Sequence, residues 1–434
     1  MSVTLAENEA KNIVIYVNDF YPEFATAFTK LSEKLGRPLR GIMLIDAERK
    51  ATGQNRAGGD DEFFEEIVVD FFDDEALKRV LAPLEDNLLL VSCDSERSQL
   101  YLKQVIPHVP YVNIPTERSI DFVANKAKMR EQLIAYNKDL SPNFIVADDA
   151  GYDTILHARD TLRFPVMVKP TSLDGSTLVN KANDENELQN VLSDSFARLD
   201  EVHARSRGLG DKTMLIEEFI EGELYTADAY VDASGNVSVL PFIHSINGAK
   251  AGMEGYQTFQ SDSYIDLTAE EIAAGQEAVR QLVHSIGLRS NVAHIDLFFT
   301  LQGWKIVEIG GRPGAWRQEM YMASYGIDHA LNELLVKIGS EPEMPTGMVA
   351  YSTVFKMHAY EEGVVESVGG IDEARSNPSM DTLAVEVKPG DFVLPNARGG
   401  SVLVSGILRN ADISQLERDV VAVRDVISIK IRKD

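Results

Sequence analysis

His294-Ile-Asp-Leu-Phe-Phe-Thr-Leu-Gln-Gly-Trp-Lys-Ile-Val-Glu-Ile309 reads as two strands joined by a tight turn. Both halves alternate and are rich in β-branched and aromatic residues, and a three-residue connection, Leu301-Gln-Gly303, closes such a hairpin with glycine in its left-handed position. Pairing Thr300 with Trp304 then sets Asp296 directly opposite Glu308, with Cβ atoms about 5 Å apart on one face. Like charges so placed are destabilising unless a cation lies between them. The other face, Ile295, Leu297, Phe299, Val307 and Ile309, is apolar and belongs in a core. Paired hard carboxylates suit Mg²⁺, which takes one or two from a protein and fills its octahedron with phosphate oxygens and water, so the pair points to a nucleotide. Two solvated acids on an exposed face are the alternative, and a two-residue turn would shift the register and separate them.

The whole chain sets limits on that reading. Its 434 residues provide for about three domains. Forty-two basic residues against 68 acidic ones give a formal charge of −26, which repels nucleic acid and anionic membranes as nonspecific partners. An anionic ligand therefore needs a local cationic pocket. A single cysteine, Cys93, excludes an internal disulfide and fits a reducing compartment. The first ten residues are acidic and lack a signal's apolar stretch, and no run approaches membrane-spanning length. A soluble cytoplasmic protein is expected.

The fold class expected is mixed α/β. Residues 1–115 alternate strand and helix signals: Ile13 to Val17, Glu23 to Leu35, Ile42 to Ile45, Asp74 to Leu84 and Leu88 to Val91. That order predicts a Rossmann-like domain with a parallel sheet. No G-x-G-x-x-G follows its first strand, so no dinucleotide is expected there. Lys50 to Glu62 reads as a loop, and Pro107, Pro110 and Pro115 mark the exit. Residues 116–344 form the second region, with one helix around Asp121 to Tyr136 and a strand at Pro165 to Lys169. Strands follow at Thr213 to Glu217 and Leu224 to Val231, and the capping box Thr268-Ala-Glu-Glu271 opens a helix that ends before Gly287. Phe242 to Tyr264, with three glycines, reads as a substrate-facing or plain surface loop. Residues 345–434 make a small β-rich unit with a late helix, Ile413 to Val423.

Cations lie upstream of the hairpin. Lys169 ends the strand Phe164-Pro-Val-Met-Val-Lys-Pro170, and Thr171-Ser-Leu-Asp-Gly-Ser-Thr177 follows, small and polar enough for its backbone N–H groups to approach phosphate. Lys126 sits in Ala124-Asn-Lys-Ala-Lys-Met-Arg-Glu131. Alone, each is equally a surface feature. In order, Lys126, Lys169 with its loop, Met214-Leu-Ile-Glu-Glu-Phe-Ile-Glu-Gly222, His294-Ile-Asp296 and Glu308-Ile-Gly-Gly-Arg312 resemble the ATP-grasp superfamily, and within it the carboxylate–amine ligases such as the L-amino acid ligases.

The resemblance implies a Rossmann-like domain preceding the grasp, a two-lobed ATP-grasp domain with a central lobe at about 120–215, and a C-terminal subdomain. It makes Lys126 and Lys169 phosphate contacts, and Ser172, Gly175, Ser176 and Thr177 the loop over the triphosphate. Glu217, Glu218, Phe219 and Ile220 become the adenine-binding hinge. Asp296 and Glu308 become ligands of Mg²⁺, or of Mn²⁺ in its place, and Arg312 the guanidinium on the transferring phosphoryl group. His294 is a donor to a developing oxyanion, or a packing residue. Two departures stand out: Gly310 occupies the place of the family's usual Asn, and Leu224 that of a ribose-binding Glu, whose role falls to Glu223. The implied reaction is ATP-dependent joining of a small carboxylate, such as an amino acid, to an amine, through an acyl phosphate. Trp316, Arg317 and Glu319 are candidates to meet a zwitterion. A carboxylase component that phosphorylates bicarbonate and a non-catalytic nucleotide-binding regulator are the alternatives. Small-molecule substrates are the partners expected, and there is room for a homodimer.

Overall fold

Four parallel strands open the chain, in the spatial order Phe64–Val69, Arg40–Asp46, Ile13–Val17, Leu88–Ser92. The computed structural model describes residues 10–20, 22–53, 64–173, 175–204, 210–252, 255–395, 400 and 402–433. Every residue of Ile13–Val17 is buried, as a central parallel strand covered on both faces requires. The edge strand Phe64–Val69 is not among the strands the sequence predicts. Most of the expected loop before it, 54–63, lies outside the described residues, while its first residues close the short helix Ala47–Thr52.

A small antiparallel sheet follows, ordered Phe144–Ala147, Met214–Glu218, Val166–Pro170, Asn180–Ala182. Its core draws on residues between Ile145 and Ile216 alone. A nine-stranded sheet follows, in which Asn291–Thr300 lies between Gly303–Gly310 and Glu223–Val231. Of the strands expected as a C-terminal unit, Tyr351–His358, Val402–Asn410 and Met380–Val385 extend this same sheet, with Tyr351–His358 paired to Thr258–Asp262, while Gly363–Gly369, Phe392–Val393 and Ser428–Arg432 form a small antiparallel sheet of their own. The Phe242 to Tyr264 stretch is accordingly a hairpin within the sheet, Ile243–Asn247 against Thr258–Asp262, rather than a loop.

Helix signals are the most legible. Thr268 and Glu271 cap each other reciprocally, and the helix Ala269–Ile286 ends at Gly287 with φ 65°. The helix expected at Asp121 to Tyr136 is two: Glu117–Val123 and Lys126–Asn137, broken at Asn125, whose side chain accepts from the Lys128 amide. That break puts Lys126 on the first turn of a helix. Among the described residues no helix is long and apolar enough to cross a membrane.

Candidate active site

The hairpin places Asp296 opposite Glu308, by a route different from the one expected. Its turn is two residues long, Leu301 and Gln302, with Thr300 paired to Gly303 and Phe299 to Trp304. A β-bulge between Leu297 and Asp296 on one side, and Ile306 and Glu308 on the other, then absorbs one residue and restores the pair. The bulge also corrects the face assignment. Trp304 and Ile306 join Ile295, Leu297 and Ile309 in the core, whereas Val307 lines the cleft with Asp296 and Glu308.

Two cavities meet at Glu308. The first, about 600 Å³, runs between the small sheet and the large one. It has apolar walls, Met167, Val179, Phe219, Leu224, Phe298 and Val307, and the ammonium groups of Lys126, Lys169 and Lys181 along it. Gly175, Ser176 and Thr177 form its lip; Gly175 and Ser176 both have positive φ, 64° and 55°, and so turn successive backbone amides the same way. Asp174 lies outside the described residues. Ser172 lines the second cavity instead, where its hydroxyl accepts from Asn125 and from the Asp211 amide.

The expected hinge separates into parts. Glu217 is 3% exposed and lines the cleft, but its carboxylate is engaged by Lys169 at 2.6 Å and Arg130 at 2.9 Å. These cations hold it below the usual carboxylate range despite burial. Glu218 turns away to accept from Asn143 and the Arg163 amide. Phe219 donates its amide to Pro165, leaving Ile220, among the described residues, as the hinge amide without a backbone partner. Glu223 lines the cleft and pairs with His244 at 3.1 Å and with Lys250.

Burial lowers the Lys169 pKa, against the pull of Glu217. At Glu308 burial pushes upward, but Lys126, 3.2 Å away, and Lys169 override it and hold the carboxyl down to about 2. Glu308 is thus a carboxylate facing two ammonium groups. Asp296 Oδ1 is buried without a hydrogen bond, 3.4 Å from His294 Nε2. An orphaned carboxylate oxygen cross-strand from a second carboxylate, beside a cation-lined cleft, fits one Mg²⁺ completed by phosphate oxygens. Among the described residues no group of three or more His, Cys, Asp or Glu side chains forms a metal cage.

The second cavity, about 390 Å³, shares Lys126, Leu173, Gly175 and Glu308 with the first and adds His294, Arg312, Glu96, Leu100 and Tyr101. His294 Nδ1 lies 2.6 Å from Asp228 Oδ1. Burial opposes its charge, but Asp228 and Asp296 outweigh burial and push its pKa up to about 9. Asp228, fully buried, also accepts from His329 at 2.7 Å and from the Gly314 amide at 2.9 Å. Arg312 Nε lies 3.4 Å from Glu96 of the first domain. Glu96 also lies against Gly310, where a Cβ would sit 2.8 Å from the Glu96 carboxylate unless that side chain shifted. Trp316 has φ 64°, and Arg317 is buried against Thr226 at 2.5 Å.

A family model described as an ATP-grasp domain matches residues 162–319, the stretch from the strand bearing Lys169 to the helix after Arg312. The chain carries an ATP-grasp domain. Its fold is that of the ATP-grasp ligases: the L-amino acid ligase of Bacillus licheniformis superposes with a TM-score of 0.76 over 98% of this chain and 99% of its own, at 18% identity. The N5-carboxyaminoimidazole synthase of Aspergillus clavatus, solved with ADP and 5-aminoimidazole ribonucleotide, superposes with a TM-score of 0.68 over 96% and 99%, at 13% identity. The phosphoribosylamine–glycine ligase of Methanocaldococcus jannaschii is 24% identical over 46% of this chain and 47% of its own length. The chain spans about half the length of the curated relatives it matches.

Proposed function

We propose that this protein is an ATP-dependent carboxylate–amine ligase that releases ADP and phosphate. One observation carries the reading: the end of the nucleotide cleft that holds Lys126, Gly175 and Glu308 opens into a second cavity containing His294 and Arg312. A nucleotide whose base lies between Phe219 and Phe298 would direct its terminal phosphate at that opening, toward an acceptor in the second cavity.

The acceptor is an acid, such as an amino acid. Its carboxylate oxygen bonds to the γ-phosphorus as the bond from phosphorus to the ADP oxygen breaks, giving an acyl phosphate. An amine then attacks the acyl carbon, the C–N bond forms, phosphate leaves and the amine loses a proton. Lys126 and Lys169 offset phosphate charge, while the planar Arg312 guanidinium faces the transferring oxyanion with a fork of donors. His294 is aimed by Asp228 through Nδ1, and its Nε2, at the edge of the second cavity, is placed to donate to the oxyanion of the tetrahedral intermediate. Mg²⁺ at Asp296 and Glu308 would neutralise the phosphates and polarise the γ-phosphoryl group.

The test is ADP release across a panel of amino acids, other acids and amines, with and without bicarbonate. With ¹⁸O-labelled carboxylate, one labelled oxygen is expected in inorganic phosphate. AMP and pyrophosphate would mean adenylation, and bicarbonate-dependent turnover without an added acid would mean carboxylation; either result overturns the reading.

A further inference from the structure

The register that brings the two carboxylates together is not the one their turn dictates. From Thr300 paired with Gly303, the ladder runs Phe299 with Trp304, Phe298 with Lys305 and Leu297 with Ile306. Continued without interruption, it would set Asp296 against Val307 and turn Glu308 to the core face, because a slip of one residue exchanges the two faces of a strand. Val307 is the extra residue that prevents this, and a bulged residue is left outside the ladder. Its carbonyl needs a partner, and a buried carbonyl without one is costly.

One side chain meets that need. Arg130, fully buried on the Lys126–Asn137 helix, donates from Nη1 to the Ile306 carbonyl and from Nη2 to the Val307 carbonyl at 3.0 Å. Nε and Nη2 of the same guanidinium donate to Glu217 Oε2 at 3.1 and 2.9 Å, and Glu217 Oε1 holds Lys169 at 2.6 Å. A single planar fork therefore ties the bulge beneath Glu308 to the phosphate lysine on the opposite sheet. One turn earlier on the helix, Lys126 pairs with Glu308 itself. No other residue type presents enough donors in a plane to reach three acceptors on two strands.

We propose that Arg130 is a positioning residue: by holding the Val307 bulge it sets the register of Asp296 and Glu308, and with it the metal site. The proposal rests on the metal reading of those two carboxylates and not on the identity of the acid or amine. Arg130→Lys keeps a charge on Glu217 but cannot reach both carbonyls. Arg130→Met removes the guanidinium altogether and leaves Glu217 paired with Lys169, so that no buried charge is stranded.

The experiment measures Mn²⁺ binding at saturating ADP, ADP binding without metal, thermal melting, and amide hydrogen exchange at Val307, Glu308 and Ile309. In the folded variants Mn²⁺ affinity is expected to fall about tenfold or more, the range seen when a group that orients a metal ligand is lost. ADP affinity without metal stays within about threefold in Arg130→Lys, and exchange at the three amides accelerates about tenfold or more. A purely structural role would lower the melting temperature and leave Mn²⁺ affinity within about twofold of wild type; that result in either variant overturns the proposal. Should wild type take up no Mn²⁺ with ADP, the metal reading of Asp296 and Glu308 falls. The register is then decided by exchange, where unchanged rates in Arg130→Lys overturn it. Failure of every acid and amine pair to release ADP would count against the ligase reading alone.

Discussion

The small sheet and the first domain are both attached to the large sheet, but in opposite ways. The first domain shares a core with it: Val14, Tyr16, Phe28 and Leu31 pack with Leu331, Leu334 and Leu335 from the helix His329–Lys337. The small sheet keeps its own core, and its ties to the Lys126–Asn137 helix are polar: Lys126 to the carbonyls of Thr171 and Leu173, Asn125 to Ser172 and Asp211, and Arg130 to Glu217. Apolar burial resists separation over a whole surface, whereas these ties act at single groups: the part-buried hydrogen bonds are worth about 1 kcal/mol each and the buried Arg130–Glu217 pair is the one costly to break. The comparison assigns two mechanical roles. One seam is an apolar core shared with the first domain, and the other holds the lobe carrying Lys169 and the Gly175 loop by polar and charged contacts.

The largest expected effect lies where the two regions face one another. Glu308→Gln should lower kcat at least about 10²-fold and the melting temperature only slightly, because it removes a charged ligand that also faces Lys126 and Lys169 but is not packed in a core. Full activity would remove Glu308 from the site. Arg312→Ala should reduce kcat by about 10²-fold with little change in KM if the guanidinium acts on charge that develops in the transition state. A rise in KM alone would reassign it to ground-state binding. The comparison itself is broken or upheld by a pair of core variants. Leu334→Ala, in the shared core, should destabilise the first domain and the large sheet together by about 2–5 kcal/mol. Leu192→Ala, in the small sheet's core, should cost as much but speed hydrogen exchange in that lobe first. Identical exchange patterns in the two variants would mean one cooperative unit. Lys169→Ala should weaken ATP binding about tenfold or more and leave the acid's affinity unchanged. The smallest effect is reserved for Asn125→Ala, which loses a helix cap and two ties to the lobe. About 1 kcal/mol of stability and a severalfold rise in KM for ATP are expected.

Residues that signal by local pattern are legible in the sequence alone. The capping box at Thr268, the alternation of the hairpin and the order of Lys169, Asp296, Glu308 and Arg312 are all short-range features or successions of them. What the sequence hides depends on distant partners. A two-residue turn and a bulge together give the same carboxylate pairing as a three-residue turn, so the sequence predicts the right neighbours from the wrong register. Val307 reads as a core residue because nothing in Ile-Val-Glu-Ile announces a bulge. Glu217 reads as a ligand contact, since its partner Arg130 lies 87 residues away and looks like one more solvated helix cation. Asn125 is a local signal that is easily passed over: a residue that favours helix starts, two positions after Val123, marks the break that places Lys126.

Asp228 has two carboxylate oxygens and three donors: His294, the Gly314 amide and His329. Those donors belong to three different stretches of chain. His294 faces the second cavity, Gly314 follows Arg312 by two residues, and His329 is the first residue of the helix that packs against the first domain. A carboxylate shared in this way cannot move toward one donor without lengthening its bond to another. Asp228 therefore fixes the imidazole, the turn carrying the guanidinium and the helix at the seam with the first domain relative to one another through one side chain.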